Sequence, residues 1–150
     1  MKATILMVDN DADDREIFCE VVSMISASNI CYAFGGGQDA LRHLSEGKIS
    51  VPDIIFLDIN MPVMSGWDCL SLLKKNEQLS NIPVYMYSTS SLPDEAKKAE
   101  QLGAAGYYCK PADIMELQKA LETLILQVRQ APSDGTRPVK GLVRFQPRVM

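Results

Sequence analysis

The sequence has little of what marks several common classes of protein. Its 150 residues include one histidine, His43, which argues against a histidine-rich metal site and against a serine–histidine–aspartate triad. No apolar run approaches the ~20 residues of a transmembrane helix, and residues 1–8 are too short an apolar run for a signal peptide. We therefore expect a cytoplasmic protein without a membrane segment.

The cysteines form no C-x-x-C pair, so they predict neither a metal centre nor a disulfide framework. Cys19, Cys31, Cys69 and Cys109 are scattered along the chain and are expected to be buried, reduced thiols. The sequence shows no internal repeat and no low-complexity tract.

Charge is unevenly distributed along a chain whose net charge is −4. Residues 131–150 contain four basic residues and one acidic residue, so residues 1–130 carry a net charge of −7. An acidic region argues against nucleic-acid binding, and a DNA-binding domain of roughly 60 residues would not fit after residue 130. We predict one globular domain over residues 1–130 and a basic C-terminal tail over residues 131–150 that is extended or partly disordered.

Apolar strand-like runs and amphipathic helix-like segments alternate five times before residue 130. This alternation indicates an α/β fold with a parallel sheet and helices on both faces. In the first helix, Ile17, Val21, Met24 and Ile25 recur at helical spacing and are predicted to face the core. The strands are predicted over residues 4–8, 30–34, 53–58, 84–87 and 105–109.

Polar side chains follow several of these strands, at the edge where open α/β sheets bind ligands. Asp58 ends the most apolar run, Asp9 follows the first strand, and Lys110 follows the fifth. If those strands are neighbours, the two carboxylates suit Mg²⁺ and the lysine suits a phosphoryl group. Ser88, at the end of the fourth strand, would add a hydroxyl donor, and the Asp58 carboxylate would be a nucleophile towards phosphorus.

Four motifs together resemble the receiver domains of bacterial response regulators, the CheY-like family. They occur in the family's order and at its spacings within a match from about residue 3 to residue 129. The resemblance implies a flavodoxin-like α/β fold with a five-stranded parallel sheet in the order 2-1-3-4-5 and helices on both faces. The motifs are residues 5–11 (ILMVDND), 57–66 (LDINMPVMSG), 87–90 (YSTS) and 106–111 (GYYCKP).

The resemblance also implies roles for individual residues. Asp58 would be the phosphoacceptor, and Lys110 would pair with the phosphoryl group. Ser88 matches the switch serine or threonine, and Tyr107 matches the switch aromatic residue. The bond between Lys110 and Pro111 is expected to be cis, which is the minority state even before proline.

Mg²⁺ is the cofactor that the resemblance implies. Its ligands would be Asp9, Asp58 and the backbone carbonyl of Asn60. The family usually has a second acid where this chain has Asn10, whose amide oxygen could ligate the ion but brings no charge. Asp11 could compensate, although it is also expected to cap the first helix, so we expect weaker metal affinity.

The fourth helix, around residues 92–102, has a thin apolar stripe of Ala96, Ala99 and Leu102. Such a helix is weakly anchored, and elements that move in switching come from the less stable parts of a fold. We hypothesise that this helix, the fifth strand and the last helix form the output surface. Tyr108 competes with Tyr107 for the switch role by composition alone.

The leading interpretation is a response regulator of two-component signal transduction. A sensor histidine kinase or phosphotransfer protein would donate a phosphoryl group to Asp58, and the change would switch a surface that binds a downstream protein target. The chain would assist its own phosphorylation and dephosphorylation without being a metabolic enzyme. No DNA-binding domain is expected, and the sequence leaves open whether the protein forms a homodimer.

Three other interpretations compete with this one. Asn10 favours a degenerate receiver that binds partners independently of phosphate. A phosphatase of the haloacid dehalogenase class would need a second aspartate at the position of Asn60. Flavin binding lacks support, because the loop after the first strand is acidic rather than rich in glycine.

Overall fold

Strands and helices alternate along the chain, as the sequence predicts. The computed structural model describes residues 2–90, 92–129 and 139–145. The strands are β1 (Thr4–Val8), β2 (Ile30–Phe34), β3 (Ile54–Asp58), β4 (Val84–Ser88), β5 (Gly106–Cys109) and β6 (Leu142–Arg144). The helices are α1 (Ala12–Ile25), α2 (Gly37–Ser45), α3 (Gly66–Lys75), α4 (Pro93–Gln101) and α5 (Ile114–Arg129).

One sheet in the order β2-β1-β3-β4-β5-β6 organises these elements. The first five strands are parallel, which confirms the predicted order 2-1-3-4-5 and the flavodoxin-like fold. Across the part of the chain that the structure describes, the sheet therefore has six strands rather than the predicted five. The carboxyl ends of the five parallel strands meet at one edge, and that edge holds the candidate site.

Both faces of the sheet are buried, because successive side chains of a strand point to opposite faces. On one face, residues such as Leu6, Ile55 and Leu57 pack against α2, α3 and α4. On the other face, residues such as Ile5 and Phe56 pack against α1 and α5. Full burial on both sides explains why β1 and β3 are apolar throughout.

Helix α1 uses a different face from the predicted one. Phe18, Val21 and Val22 are its buried residues, whereas Ile17 is 38% exposed and Met24 is 60% exposed. The prediction for Ile17 and Met24 is wrong because Phe18 takes the inward position. Its ring packs edge-on against Phe56 with the ring centres 5.1 Å apart, and an aromatic ring buries more surface than an aliphatic side chain.

Helix α3 begins very close to the end of β3. Ser65 caps it by accepting a hydrogen bond from the Asp68 amide at 3.2 Å. A Cβ atom on Gly66 would lie 2.2 Å from the backbone oxygen of Asp58, so only glycine allows this approach. The glycine therefore fixes the geometry of the strand end that carries Asp58.

Part of the predicted tail forms β6, which pairs antiparallel with β5 and becomes the edge of the sheet. The Cys109 amide donates to the Gly141 oxygen at 2.9 Å, and the Phe145 amide donates to the Ala105 oxygen at 2.9 Å. A Cβ atom on Gly106 would lie 2.5 Å from the Val143 oxygen, so this glycine admits the strand. The rest of the predicted tail, residues 131–138 and 146–150, lies outside the described residues.

All peptide bonds in the described parts of the chain are trans, including the bond between Lys110 and Pro111. The expectation of a cis bond there is wrong for this structure, which adopts the state of lower intrinsic energy. Within the same residues, no helix is long and apolar enough to cross a membrane.

Candidate functional site

The strand ends bring the predicted site residues to one edge of the sheet. Asp9 follows β1, Asp58 ends β3, Ser88 ends β4, and Lys110 follows β5. Because β1 and β3 are neighbours, their two aspartates lie beside each other. Both carboxylates lie near the Lys110 ammonium, Asp9 at 2.7 Å and Asp58 at 4.0 Å, so the strand ends bring them to one place.

Asp9 is the most enclosed charged residue of the site, with no exposed surface. Its Oδ2 accepts a hydrogen bond from Lys110 Nζ at 2.7 Å, and its Oδ1 accepts one from the Asp11 amide at 2.9 Å. Its backbone oxygen accepts a hydrogen bond from Arg15 at 2.7 Å. A buried carboxylate is costly unless it is paired, and these bonds supply the pairing.

Lys110 lies between three carboxylates. Its Nζ is 2.7 Å from Asp9, 2.9 Å from Asp14 and 4.0 Å from Asp58. Burial lowers the pKa of Lys110, but its hydrogen bonds to Asp9 and Asp14 outweigh burial and leave the pKa raised. The lysine therefore remains charged and holds a fixed positive charge next to Asp58.

Asp58 is 6% exposed and is the least compensated of the three carboxylates. Burial and the neighbouring charge of Asp9 raise its pKa to about 6, against the attraction of Lys110. An added group that carries positive charge would relieve this repulsion. The end of β3 therefore favours the binding of a cation.

Asn10 reaches into the same space. In the amide orientation that satisfies both of its polar atoms, which is assigned from its neighbours, the Asn10 nitrogen donates to Asp58 Oδ2 at 3.2 Å and to the Asn60 backbone oxygen at 3.3 Å. Asp11 is engaged elsewhere, because its carboxylate caps α1 by accepting from the amides of Asp13 and Asp14 at 2.9 and 3.1 Å. The expected compensation by Asp11 therefore has no support in this geometry.

The oxygen atoms at this edge fit Mg²⁺, and two of the groups that would hold it, Asp9 and Asp58, carry charge. Asp9, Asp58 and the Asn60 carbonyl converge, and Mg²⁺ is commonly bound by one or two carboxylates together with waters and phosphate oxygens. No group of three or more acidic, histidine or cysteine side chains capable of holding a metal occurs in the described residues. The amide of Asn10 would have to turn its oxygen towards the ion to become a ligand.

Ser88 and Tyr107 form the other half of the edge. The Ser88 hydroxyl accepts from the Ser90 amide at 3.1 Å, and Ser90 is also the residue whose backbone oxygen Tyr107 contacts. The Tyr107 hydroxyl lies 2.6 Å from the Ser90 backbone oxygen and 2.9 Å from Glu95 Oε1 on α4. Burial raises the pKa of Tyr107, so this hydroxyl stays protonated and able to donate.

The two adjacent tyrosines of β5 face opposite sides of the sheet. Tyr107 packs in the cluster under α2, α3 and α4, whereas Tyr108 packs in the cluster under α1 and α5. The Tyr108 hydroxyl is buried without a hydrogen-bond partner among the described residues. Only Tyr107 therefore connects the strand to Ser90 and α4, and the geometry favours it over Tyr108 for the switch position.

Asp14 and Arg15 are site residues that sequence reasoning missed. The Asp14 carboxylate accepts a hydrogen bond from Lys110 Nζ at 2.9 Å, and Arg15 donates to the backbone oxygen of Asp9 at 2.7 Å. Their position in the first turn of a helix that starts directly after β1 is the signal that could have identified them.

A family model, the response regulator receiver domain, matches residues 5–122. The chain belongs to this family. It is 31% identical to the chemotaxis protein CheY of Pseudomonas aeruginosa, over 83% of this chain and 97% of that protein. It spans only 26–42% of the length of three larger curated relatives that it matches.

Solved structures give the same result. The phosphorylated cyanobacterial phytochrome response regulator RcpA superposes with a TM-score of 0.78 at 25% identity, covering 89% of this chain and all of that one. The Mn²⁺-bound form of the response regulator Rcp1 superposes with a TM-score of 0.71 at 25% identity, covering 81% of this chain and 91% of that one. The receiver fold is thus shown by structure as well as by sequence.

Proposed function

We propose that this receiver domain accepts a phosphoryl group on Asp58 in two-component signalling. The observation that carries the proposal is the grouping of Asp58, Asp9 and Lys110 at the carboxyl ends of β3, β1 and β5. A buried aspartate beside a fixed cation and a second acid suits phosphoryl transfer, in which spread negative charge must be neutralised.

The donor would be a phosphohistidine on a sensor histidine kinase or phosphotransfer protein. An Asp58 oxygen attacks phosphorus, the phosphorus–nitrogen bond breaks, and the imidazole leaves as an aspartyl phosphate forms. Lys110 would move from its present 4.0 Å separation to pair with the phosphoryl oxygens. Ser88 would donate its hydroxyl to another of those oxygens.

Mg²⁺ would be held by Asp9, Asp58 and the Asn60 carbonyl. When bound, it would neutralise charge on the carboxylates and the phosphoryl oxygens. The raised pKa of Asp58 supports this assignment, because it reports a need for positive charge at that point. The Asn10 amide, which is hydrogen-bonded to two of these ligands, would have to turn away from them.

Phosphorylation would act on the rest of the molecule through Ser88. If Ser88 turns towards the phosphoryl group, its hydrogen bond with the Ser90 amide weakens, and the Ser90 backbone oxygen is the group that Tyr107 contacts. Tyr107 is bonded to Glu95 of α4, so the change would reach that helix. The surface formed by α4, β5 and α5 would then favour a downstream protein partner. We propose this signalling role rather than that of a metabolic enzyme.

Incubation with Mg²⁺ and a small acyl phosphate, followed by intact mass measurement, tests the proposal. We expect an adduct of about +80 Da, the mass of one phosphoryl group, which Asp58→Asn abolishes. Asp68→Asn is the matched control, because Asp68 is an exposed acid at the start of α3. An adduct that persists in Asp58→Asn would show that another residue is the acceptor.

The Asn10 geometry favours a second candidate, a receiver that binds its partner without phosphate. The amide already bridges Asp58 and the Asn60 carbonyl, and it can hold the strand end closed in the absence of a metal. This candidate predicts no adduct in the native chain and an adduct only after Asn10→Asp. The same mass measurement therefore separates the two functions.

A further inference from the structure

Strand β6 lies on the surface that we propose for the downstream target. It pairs with β5, and in that register Val143 lies opposite Tyr107. Tyr107 is also the residue whose hydroxyl bonds Glu95 on α4. A segment that pairs with β5 therefore lies directly against the switch position.

The outer edge of β5 is shaped for the close approach of another backbone. The Cys109 amide donates to the Gly141 oxygen at 2.9 Å, and the Phe145 amide donates to the Ala105 oxygen at 2.9 Å. Gly106 has no side chain, and a Cβ atom there would lie 2.5 Å from a backbone oxygen of β6. An extended segment can therefore pair along the whole of β5.

Strand β6 is held less firmly than the inner strands. It is 3 residues long and its middle residue, Val143, is 46% exposed, whereas β1, β3 and β4 are buried throughout. Before the strand, Lys140 is 3.4 Å from Glu116 with its side chain 85% exposed. Exposed ion pairs and half-exposed apolar side chains stabilise little, so β6 can leave β5 while the core stays intact.

A cavity beside β6 extends this edge. It has a volume of about 420 Å³ and lies between β6 and the start of α4. Its lining is mainly apolar and includes Ala96, Tyr107, Val143 and Leu92, the last of which is 62% exposed. Because side chains of an extended segment alternate between two faces, a segment on β5 places every second side chain on the side of this cavity.

We propose that the edge of β5 is a strand-binding site and that β6 occupies it in the resting protein. The partner is a protein that presents an extended apolar segment, which pairs antiparallel with β5 in place of β6. A basic residue at the position of Lys140 would meet Glu116 of α5. Apolar side chains would take the positions of Val143 and Phe145 on the side of α4.

Backbone pairing supplies the affinity of such a site, and the cavity supplies the preference for apolar side chains. The role of this partner as the downstream target rests on the proposed function. The exchange of one strand for another needs no phosphoryl group, so it can be measured on the unphosphorylated protein.

Binding of a fluorescent peptide with the sequence of residues 139–145 to the full, unphosphorylated chain tests the proposal. Phe145→Pro removes the amide bonded to Ala105 together with the ring, so β6 should leave the edge. We expect the peptide to bind this variant at least about tenfold more tightly than the native chain, in which β6 competes. Phe145→Leu is the matched control, because it keeps the amide and an apolar side chain, and it should bind as the native chain does.

A second peptide distinguishes strand pairing from general apolar contact. N-methylation at the position of Phe145 removes the donor to the Ala105 oxygen and keeps every side chain, so binding should weaken at least about tenfold. Amide exchange gives an independent measurement. The Cys109 amide, which now bonds Gly141, should exchange faster in Phe145→Pro and regain protection when the peptide binds.

Three results would overturn the proposal. Equal binding to the native chain and to Phe145→Pro would show that β6 does not occupy the site. Equal binding of the two peptides would show that no strand forms on β5. A native dimer that the peptide converts to a monomer would show that the occupant is a second copy of this chain. None of these results depends on Asp58, so they are distinct from a failure of the phosphorylation assay.

Discussion

The two halves of the site edge are built in different ways. The half at β1 and β3 is a closed network, in which Asp9 has no exposed surface and Lys110 contacts three carboxylates. The half at β4 and β5 is connected to a helix outside the site, because the Tyr107 hydroxyl bonds to Glu95 on α4. The comparison teaches that chemistry and its transmission have separate supports: Lys110 with its carboxylates in the first half, and the bonds of Tyr107 to Ser90 and Glu95 in the second.

Helix α4 is anchored less firmly than its neighbours. Ala99 is its one buried residue, with Ala96 and Leu102 partly buried beside it, as the predicted apolar stripe requires. Burial of small side chains contributes little hydrophobic free energy. The half of the edge at β4 and β5 is therefore held to α4 by a few hydroxyl hydrogen bonds and a small apolar contact. Such weak anchoring suits a helix that must move when the signal is transmitted.

Removing Lys110 should have the largest effect on phosphoryl transfer at the half of the edge formed by β1 and β3, which we call the chemical half. Lys110→Met leaves Asp58 without its fixed cation, and we expect the rate of phosphoryl uptake to fall about 10²-fold, the usual cost of losing one stabilising group. The rate of appearance of the phosphorylated mass measures the effect. Lys140→Met is the control, because Lys140 is exposed and 3.4 Å from Glu116. Equal rates in both variants would contradict the role of Lys110.

Removing the Asp58 charge should stabilise the fold. The raised pKa of Asp58, about 6, means that its ionised form is costly in the folded state. The cost is absent below about pH 4, grows between pH 4 and 6, and is complete above pH 6. Without Mg²⁺ at pH 7.5, Asp58→Asn should therefore raise the free energy of unfolding by about 1–3 kcal/mol.

Urea unfolding at several pH values measures this difference. The gain of Asp58→Asn should shrink as the pH falls from 6 to 4, whereas Asp68→Asn should change stability by less than about 0.5 kcal/mol throughout. A gain that does not vary with pH would show that the charge of Asp58 is not its cause.

The sequence predicts the chemical half better than the other half. Asp9, Asp58 and Lys110 could be placed together because the carboxyl ends of parallel strands share one edge. The contacts of Asp14 with Lys110 depend on how α1 leaves β1, and periodicity does not encode that direction. The exposure of Ile17 depends on the competition with Phe18 for the inward position. The edge strand β6 lies in the predicted tail, and the prolines that flank it favour extended chain without specifying a partner.

Substitution of Asn10 tests whether the affinity for Mg²⁺ limits the chemistry of the half at β1 and β3. Asn10→Asp removes the amide bonds to Asp58 and the Asn60 carbonyl and adds a carboxylate, so we expect Mg²⁺ affinity to rise about tenfold, or about 1.4 kcal/mol. The dependence of Tm on Mg²⁺ concentration measures it. Asn60→Ala is the control, because its exposed side chain is lost while the backbone carbonyl remains. Unchanged affinity in Asn10→Asp would mean that the amide oxygen already ligates the ion as well as a carboxylate does.

The two tyrosines of β5 give the finest test of the half that transmits the signal. Tyr107→Phe removes a hydroxyl bonded to Ser90 and Glu95, and we expect a loss of about 1 kcal/mol together with faster amide exchange in α4. Tyr108→Phe removes a buried hydroxyl with no partner among the described residues, so its effect should be neutral or stabilising by up to about 1 kcal/mol. Urea unfolding and amide exchange over residues 88–110 measure both. If Tyr107→Phe leaves α4 as protected as Tyr108→Phe does, the hydroxyl bonds do not hold that helix, and the link from Ser88 to α4 fails.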